Sequence, residues 1–298
     1  MKATLYYRGS LSSCNYSCPY CPFSKTRDSS ETLAKDRAQL QTFVDWVKRQ
    51  AADGIELAVF FNPYGEALIH SWYRKAMVEL SSMDHVRKVA IQTNLSAKLN
   101  WTEQLNPRKS AFWATYHPGQ TEESAFLAQC RELYNRGIPF SVGSVGLKSA
   151  FGALLSLRRA LPRDVYMWVN AYKDRPRYYT KEDIAFLSGI DPYFELNAAD
   201  YSSLGQPCST GYDVFYVQGS GLVKRCYKDR EVIGNLYRDG LKGLSRRRPC
   251  RMECCDCYIG YIHMPGLKLD EVYGDSLLER IVGKERLFRN GERFICST

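Results

Sequence analysis

The chain has 298 residues, which is enough for one large domain or for a large domain and a small one. Its hydrophobic share of 45% and charged share of 24% are those of a globular protein and exclude a disordered tail protein. The net charge of +9 is spread along the chain, so it permits an anionic substrate but does not favour nucleic acid as a partner.

Neither a membrane segment nor a secretion signal is evident. The sequence contains no run of about 18 apolar residues, so we predict no membrane partner. The first residues also lack the apolar core of a signal peptide. We therefore predict a cytoplasmic protein, in which the eleven cysteines are not expected to form disulfides.

Strand and helix patterns alternate along the first 200 residues. Six segments have the apolar character of strands: Ala3–Tyr7, Glu56–Phe61, Val86–Gln92, Ala111–Tyr116, Pro139–Val145 and Val165–Val169. Five segments have helical spacing: Asp36–Ala52, Ser71–Leu80, Glu122–Asn135, Phe151–Ala160 and Lys181–Leu187. The alternation predicts an α/β fold, a partial (β/α)6 TIM-like barrel with its chemistry at the carboxyl ends of parallel strands. The strand count leaves a doubly wound open sheet as an alternative.

The pattern changes after about residue 196. Val214–Val217 and Leu222–Lys224 flank a glycine-rich turn and predict a hairpin. Seven of the eleven cysteines lie between residues 208 and 296. We therefore predict a core domain in residues 1–200 and a small C-terminal α+β module in residues 201–298.

The loop after the first strand contains Cys14, Cys18 and Cys21, with the spacing C-x3-C-x2-C. Three thiolates so close together are suited to sharing one metal centre. No fourth Cys or His lies nearby, which favours a [4Fe–4S] cluster that keeps one iron open for another ligand. A zinc loop is the alternative.

Tyr20 completes a C-x3-C-x-aromatic-C pattern, which resembles the motif of the radical S-adenosylmethionine (SAM) superfamily. The resemblance implies that Cys14, Cys18 and Cys21 hold the catalytic cluster and that its open iron binds SAM. It also implies that Tyr20 lies near the adenine.

Residues after the second and third strands resemble further elements of this family. Tyr64, Gly65 and Glu66 correspond to its G-G-E-P segment, which implies contact with the methionyl amino group of SAM. Main-chain carbonyls and a carboxylate are what an ammonium group needs. Asn94 stands in a sequence similar to T-N-G and is a candidate for the SAM ribose or carboxylate, with the shaping of a turn as the alternative.

Two later strands add weaker candidates. Ser144 lies in Ser141–Leu147, which resembles a loose G-x-I-x-G element packed on the adenosine, and a buried strand with a bulge is the alternative. His117 follows the fourth strand and is a candidate for contact with SAM or substrate. A structural histidine before a turn explains it equally well.

A second set of cysteines resembles an auxiliary-cluster module. Cys208, Gly221 and Cys226 have the spacing C-x12-G-x4-C, which resembles the opening of the SPASM domain. With the later pair Cys254 and Cys257, the pattern resembles the shortened twitch module, which implies one auxiliary [4Fe–4S] cluster held by these four cysteines. Four thiolates are enough to ligate one such cluster, and a four-cysteine zinc site is the alternative. Cys250, Cys255 and Cys296 compete for the same ligand positions.

The resemblance implies a radical SAM enzyme of oxidoreductase or maturase type. A flavodoxin- or ferredoxin-like donor would reduce the first cluster, which would cleave SAM to a 5′-deoxyadenosyl radical. The radical would take hydrogen from a peptide or a small-molecule substrate, of which we favour a peptide. A non-catalytic iron–sulfur or zinc-binding scaffold on a degenerate fold is the alternative. RNA modification is not favoured, because the charge forms no basic stripe.

Overall fold

The structure is a computed structural model that describes residues 1–23 and 26–283. The strands are β1 (Lys2–Arg8), β2 (Glu56–Phe61), β3 (Val86–Thr93), β4 (Ser110–Thr115), β5 (Phe140–Val145), β6 (Met167–Asn170), β7 (Tyr201–Ser202), β8 (Val214–Gln218), β9 (Leu222–Lys224), β10 (Val232–Asn235) and β11 (Cys254–Cys255). The helices are α1 (Ser30–Arg49), α2 (Ser71–Ser82), α3 (Glu123–Asn135), α4 (Phe151–Ala160), α5 (Lys181–Ile190), α6 (Phe194–Ala198), α7 (Leu236–Leu244), α8 (Tyr258–Tyr261) and α9 (Asp270–Tyr273).

Nine strands form one sheet in the order β10-β9-β8-β1-β2-β3-β4-β5-β6. All neighbours from β8 through β1 to β6 are parallel, and β9 pairs antiparallel with both β8 and β10. Strands β1 to β6 follow in chain order, and helices α1 to α5 pack on one face of them. A doubly wound sheet reverses its strand order and has helices on both faces. The predicted partial (β/α)6 barrel is therefore confirmed, and the doubly wound alternative is excluded.

The two faces of the sheet bury different sets of side chains, because successive residues of a strand point in opposite directions. Tyr7 and Phe61 belong to the core under the helices. Their neighbours Tyr6 and Phe60 belong to a second core on the concave face. The sequence predicts the first core through the helical spacing of its apolar residues.

The second core is completed by the C-terminal segment, which sequence reasoning did not place. Tyr258, Leu278 and Val282 are buried in this core, together with side chains of the strands. Arg280 is also buried there, and its guanidinium lies 3.4 Å from the ring centre of Tyr258 and 4.8 Å from that of Trp168. The segment thus covers the concave face of the barrel sheet.

The predicted hairpin is present as β8 and β9. It extends the main sheet, because β8 pairs in parallel with β1, with Leu5 opposite Phe215. The short strands β7 and β11 form a separate two-stranded sheet. The division of the chain at residue 200 stays a prediction, and the structure joins the two parts through β1 and β8.

Helix α1 begins at Ser30, before the predicted start at Asp36. Ser29 caps its N-terminus, since the Ser29 hydroxyl accepts a hydrogen bond from the backbone N–H of Thr32 at 3.1 Å. Across residues 1–23 and 26–283, no helix is both long and apolar enough to cross a membrane.

Candidate active site at the carboxyl ends of the strands

A cavity of about 500 Å³ lies where the loops after β1 to β6 meet. Ten of the residues that the sequence singled out line it: Cys14, Cys18, Tyr20, Cys21, Tyr64, Gly65, Glu66, Asn94, His117 and Cys257. The carboxyl ends of parallel strands meet at one edge of the sheet, and this is where barrel enzymes place their chemistry. The cavity is therefore the candidate active site.

The cysteine loop is held in place by two carboxylates. Asp28 accepts hydrogen bonds from the backbone N–H and hydroxyl groups of Ser12 and Ser13 at 2.6 to 2.9 Å. Asp36 on α1 is fully buried and accepts from the backbone N–H of Leu11 at 2.9 Å. The loop conformation thus depends on residues outside the cysteine motif.

The three thiols of the motif share one wall of the cavity. The Cys14 sulfur accepts from the backbone N–H of Tyr16 at 3.4 Å and from the side-chain amide of Asn94 at 3.7 Å. A turn brings Cys21 close to Cys18, because the backbone N–H of Cys21 donates to the Cys18 carbonyl at 3.1 Å. Burial raises the pKa of the Cys14 thiol. A bound iron would replace that proton, because metal coordination deprotonates a thiol.

The described lining of the cavity fits a cluster with a polar ligand beside it. In a [4Fe–4S] cluster each thiolate binds its own iron, so the three thiols need not converge on one atom. Within residues 1–23 and 26–283, no group of three His, Cys, Asp or Glu side chains is arranged around a single ion. Three buried polar atoms of the cavity lining have no hydrogen-bond partner in the described part of the chain: Asn62 Oδ1, Trp113 Nε1 and Thr115 Oγ1. Such atoms favour a polar ligand beside the thiols.

Glu66 is buried at the carboxyl end of β2, with 2% of its surface exposed. Its Oε1 accepts from the Thr93 hydroxyl at 2.8 Å and from the Leu68 N–H at 3.0 Å, and its Oε2 accepts from the Asn94 N–H at 2.6 Å. Burial raises the pKa of this carboxyl. An ionised carboxylate accepts about four hydrogen bonds, so capacity for one ligand donor remains.

Gly65 brings this turn against the cysteine loop. A Cβ atom at Gly65 would lie 1.7 Å from the Ser13 carbonyl oxygen. Only glycine permits this approach, so the Gly65–Glu66 turn and the cysteine loop pack backbone to backbone.

Asn94 links the cysteine loop to the end of β3. Its side-chain amide donates to Asn15 Oδ1 at 3.0 Å, while its Oδ1 accepts from the Ser96 N–H at 3.0 Å. The second bond shapes the turn, which is the alternative that the sequence left open. Leu95 adopts a left-handed conformation with φ of 58°, where the resembled T-N-G element has glycine.

Tyr20 and His117 form a pair in the cavity wall. The Tyr20 hydroxyl and His117 Nδ1 are 2.8 Å apart, and the two rings are stacked with centres 6.1 Å apart. Burial lowers the pKa of His117 to about 4, so this imidazole is neutral near pH 7. His117 therefore fixes the ring of Tyr20, and contact of Tyr20 with adenine stays a prediction.

The structure does not bring Ser144 to the cavity, which corrects its place among the candidate residues. Along β5, Ser144 shares a side of the strand with Val142, which is buried in the core under the helices. Val145 lines the cavity instead. The residue before it on the same strand thus faces away, because a shift of one residue turns a side chain to the opposite face.

The cavity lining also contains residues that sequence reasoning missed. Lys173 follows β6 and donates to the Asp256 carbonyl at 3.1 Å and to Asp200 at 2.9 Å. Lys228 forms an ion pair with the carboxylate of Asp256. Lys173 could have been found from the sequence, because it follows the sixth strand. Lys228 and Asp256 lie close to cysteines in the sequence, but the cysteine spacing does not indicate that they line the cavity.

The C-terminal cysteines differ in environment. Cys257 lines the cavity, Cys255 is buried and Cys254 is exposed. The pKa of Cys255 is raised to about 12. Burial is the main cause, followed by the charges of four neighbouring cysteines: Cys226, Cys257, Cys208 and Cys250. Cys255 thus lies among the other candidate ligands. Cys296 is outside the described residues.

Comparison with known proteins gives a structural likeness only. No protein-family model and no curated protein sequence matches the chain. A solved structure of native anSMEcpe with bound AdoMet and the Cp18Cys peptide has a TM-score of 0.56 at 14% identity, over 99% of this chain and 96% of that chain. Native anSMEcpe with bound AdoMet gives 0.56 at 13% identity, over 98% and 95%. The likeness establishes the fold.

Proposed function

We propose that this protein is a radical SAM enzyme. The observation that carries the proposal is the convergence of Cys14, Cys18 and Cys21 with Glu66 and Asn94 on one cavity at the carboxyl ends of the strands. The shared fold with anSMEcpe, whose structures contain AdoMet, supports it. When bound, the cluster and SAM supply a 5′-deoxyadenosyl radical that takes hydrogen from the substrate.

The residues of the chain bind and orient these groups. Cys14, Cys18 and Cys21 hold the cluster in a loop that Asp28 and Asp36 fix from behind. Glu66, with the backbone of Tyr64 and Gly65, accepts the methionyl ammonium of SAM. Asn94 contacts the ribose or the carboxylate of SAM. Tyr20 contacts its adenine. The aromatic walls, which include Trp113, Trp168 and Tyr258, exclude water from the reacting groups.

An auxiliary [4Fe–4S] cluster completes the proposal. Cys208, Cys226 and Cys257 supply three of its ligands, as the sequence predicts. For the fourth we favour Cys255 over the predicted Cys254, because Cys255 is buried among these thiols and Cys254 is exposed. Cys257 also lines the cavity, so this cluster would lie beside the substrate.

The substrate that we favour is a peptide. Support comes from anSMEcpe, which was solved with a bound peptide, and from the polar lining residues Lys173, Lys228 and Asp256. A flavodoxin- or ferredoxin-like protein would supply the electron, as expected for a cytoplasmic enzyme of this kind.

The test is formation of 5′-deoxyadenosine from SAM by anaerobically reconstituted, dithionite-reduced protein. We expect product from the wild type and background levels from Cys18→Ala, which lacks a cluster ligand. Cys130→Ala is the matched control, since Cys130 is buried in α3 away from the cavity and its loss should leave the product unchanged. Equal product from wild type and Cys18→Ala would contradict the proposal. A loaded protein that neither binds nor cleaves SAM would support the scaffold alternative.

A further inference from the structure

A second cavity adjoins the candidate active site. It measures about 300 Å³ and lies between the end of β1, helix α1 and the turn that joins β8 to β9. It shares Arg8, Tyr64 and Tyr227 with the main cavity. These three residues line both cavities and form their common wall.

The second cavity is lined by positive charge without a carboxylate. Arg8, Lys35 and Lys224 line it, and none of its described lining residues is Asp or Glu. None of the three cations forms an ion pair with a described residue. On a protein surface, Lys and Arg are usually accompanied by acidic groups, so three unpaired cations around one cavity favour an anionic ligand.

Arg8 is held in a fixed orientation at the common wall. Its Nε donates to the Asn62 carbonyl at 2.9 Å. Its guanidinium carbon lies 4.2 Å from the ring centre of Tyr64 and 4.6 Å from that of Tyr227. The two rings and the Asn62 carbonyl therefore restrict this side chain. A planar guanidinium suits the two oxygens of a carboxylate or phosphate, and a restricted side chain loses little entropy on binding.

We propose that the second cavity binds an oxyanion of the substrate, a carboxylate or a phosphate, while the reacting part of the substrate lies in the main cavity. Arg8 donates to the oxyanion at the common wall, and Lys35 and Lys224 neutralise it from the other sides. The inference rests on the proposed function and adds a substrate class to it, namely an acid-bearing molecule. In a peptide substrate the group is a carboxylate.

The test uses the holoprotein, reconstituted anaerobically and saturated with SAM. Glutarate and inorganic phosphate are titrated separately by calorimetry into wild type, Lys224→Gln and Lys242→Gln. Lys242 is an exposed residue of α7 that lines neither cavity, so it is the matched control. We expect Lys224→Gln to weaken binding of the preferred anion about fivefold or more, and Lys242→Gln to leave it unchanged. Tighter glutarate binding identifies a carboxylate, and tighter phosphate binding identifies a phosphate.

Equal affinities of the two variants for both anions would overturn the inference, as would a wild type that binds neither anion. SAM affinity, measured in the same preparations, separates this failure from failure of the proposed function. Protein that binds SAM but neither anion rejects the oxyanion site alone. Protein that does not bind SAM rejects the proposed function and the inference with it.

Discussion

Cys254 and Cys255 are neighbours in sequence with opposite surroundings. They form the short strand β11, in which successive side chains point to opposite sides. Cys255 faces the buried side, where a Cβ at Gly260 would lie 2.9 Å from its sulfur, and Cys254 is exposed. Spacing favoured Cys254 because C-x2-C pairs are common ligand pairs, but spacing does not show which side a residue faces.

This difference predicts the iron content of two single variants. Cys255→Ser should lower the content of the reconstituted protein by about four iron and four sulfide ions per chain, because it removes a ligand of the proposed auxiliary cluster. Cys254→Ser, the matched neighbour, should retain the wild-type content. Iron and sulfide analysis with Mössbauer spectroscopy measures both. Loss of the cluster in Cys254→Ser and its retention in Cys255→Ser would reverse the assignment.

At the same scale, the sequence identified most residues of the candidate site but not their contacts. Cys14 was found through the spacing of its cysteine motif, and Glu66 and Asn94 through segments that resemble family motifs after the second and third strands. Ser144 was misplaced because the strand pattern does not fix which residues face inward. The hydrogen bond that joins Glu66 to Thr93 depends on the register between β2 and β3, which no local pattern reveals.

At the scale of elements, helix α1 supports the cysteine loop from behind the motif. Asp36 accepts from Leu11 N–H at 2.9 Å, from Trp72 Nε1 at 2.9 Å and from the Tyr73 hydroxyl at 3.2 Å. A Cβ at Gly9 would lie 2.1 Å from Asp36 Oδ1, so the loop passes directly over this carboxylate. One buried side chain thus connects β1, α1 and α2.

Asp36→Asn should destabilise the fold by about 3 kcal/mol, because the new amide group would face buried donors and leave at least one unsatisfied. The loop should also lose order, so the yield of the N-terminal cluster should fall. Asp45→Asn on the same helix is the control: Asp45 is exposed, and its change should cost no more than about 0.5 kcal/mol. Chemical denaturation of the metal-free protein measures both. Equal stability of the two variants would show that Asp36 does not anchor the loop.

Across the whole molecule, local patterns predicted the sheet but not what covers its concave face. The alternation of strands and helices predicted the parallel core, since each unit is defined by nearby residues. The pairing of β8 with β1 and the burial of Tyr258 and Arg280 against Trp168 join residues that are far apart in sequence. Such contacts leave no periodic signal. They place the segment around Tyr258 and Arg280 on the concave face of the sheet and Cys257 in the wall of the candidate active site.

The central claim is that the N-terminal cysteines hold a cluster to which SAM binds. Its most direct test is the electron paramagnetic resonance spectrum of the reduced holoprotein, recorded with and without SAM. We expect SAM to change the spectrum of wild type and of Cys254→Ser, and Cys18→Ala to show only an auxiliary signal unaffected by SAM. A wild-type spectrum that SAM leaves unchanged, with iron analysis showing a fully loaded N-terminal cluster, would contradict it.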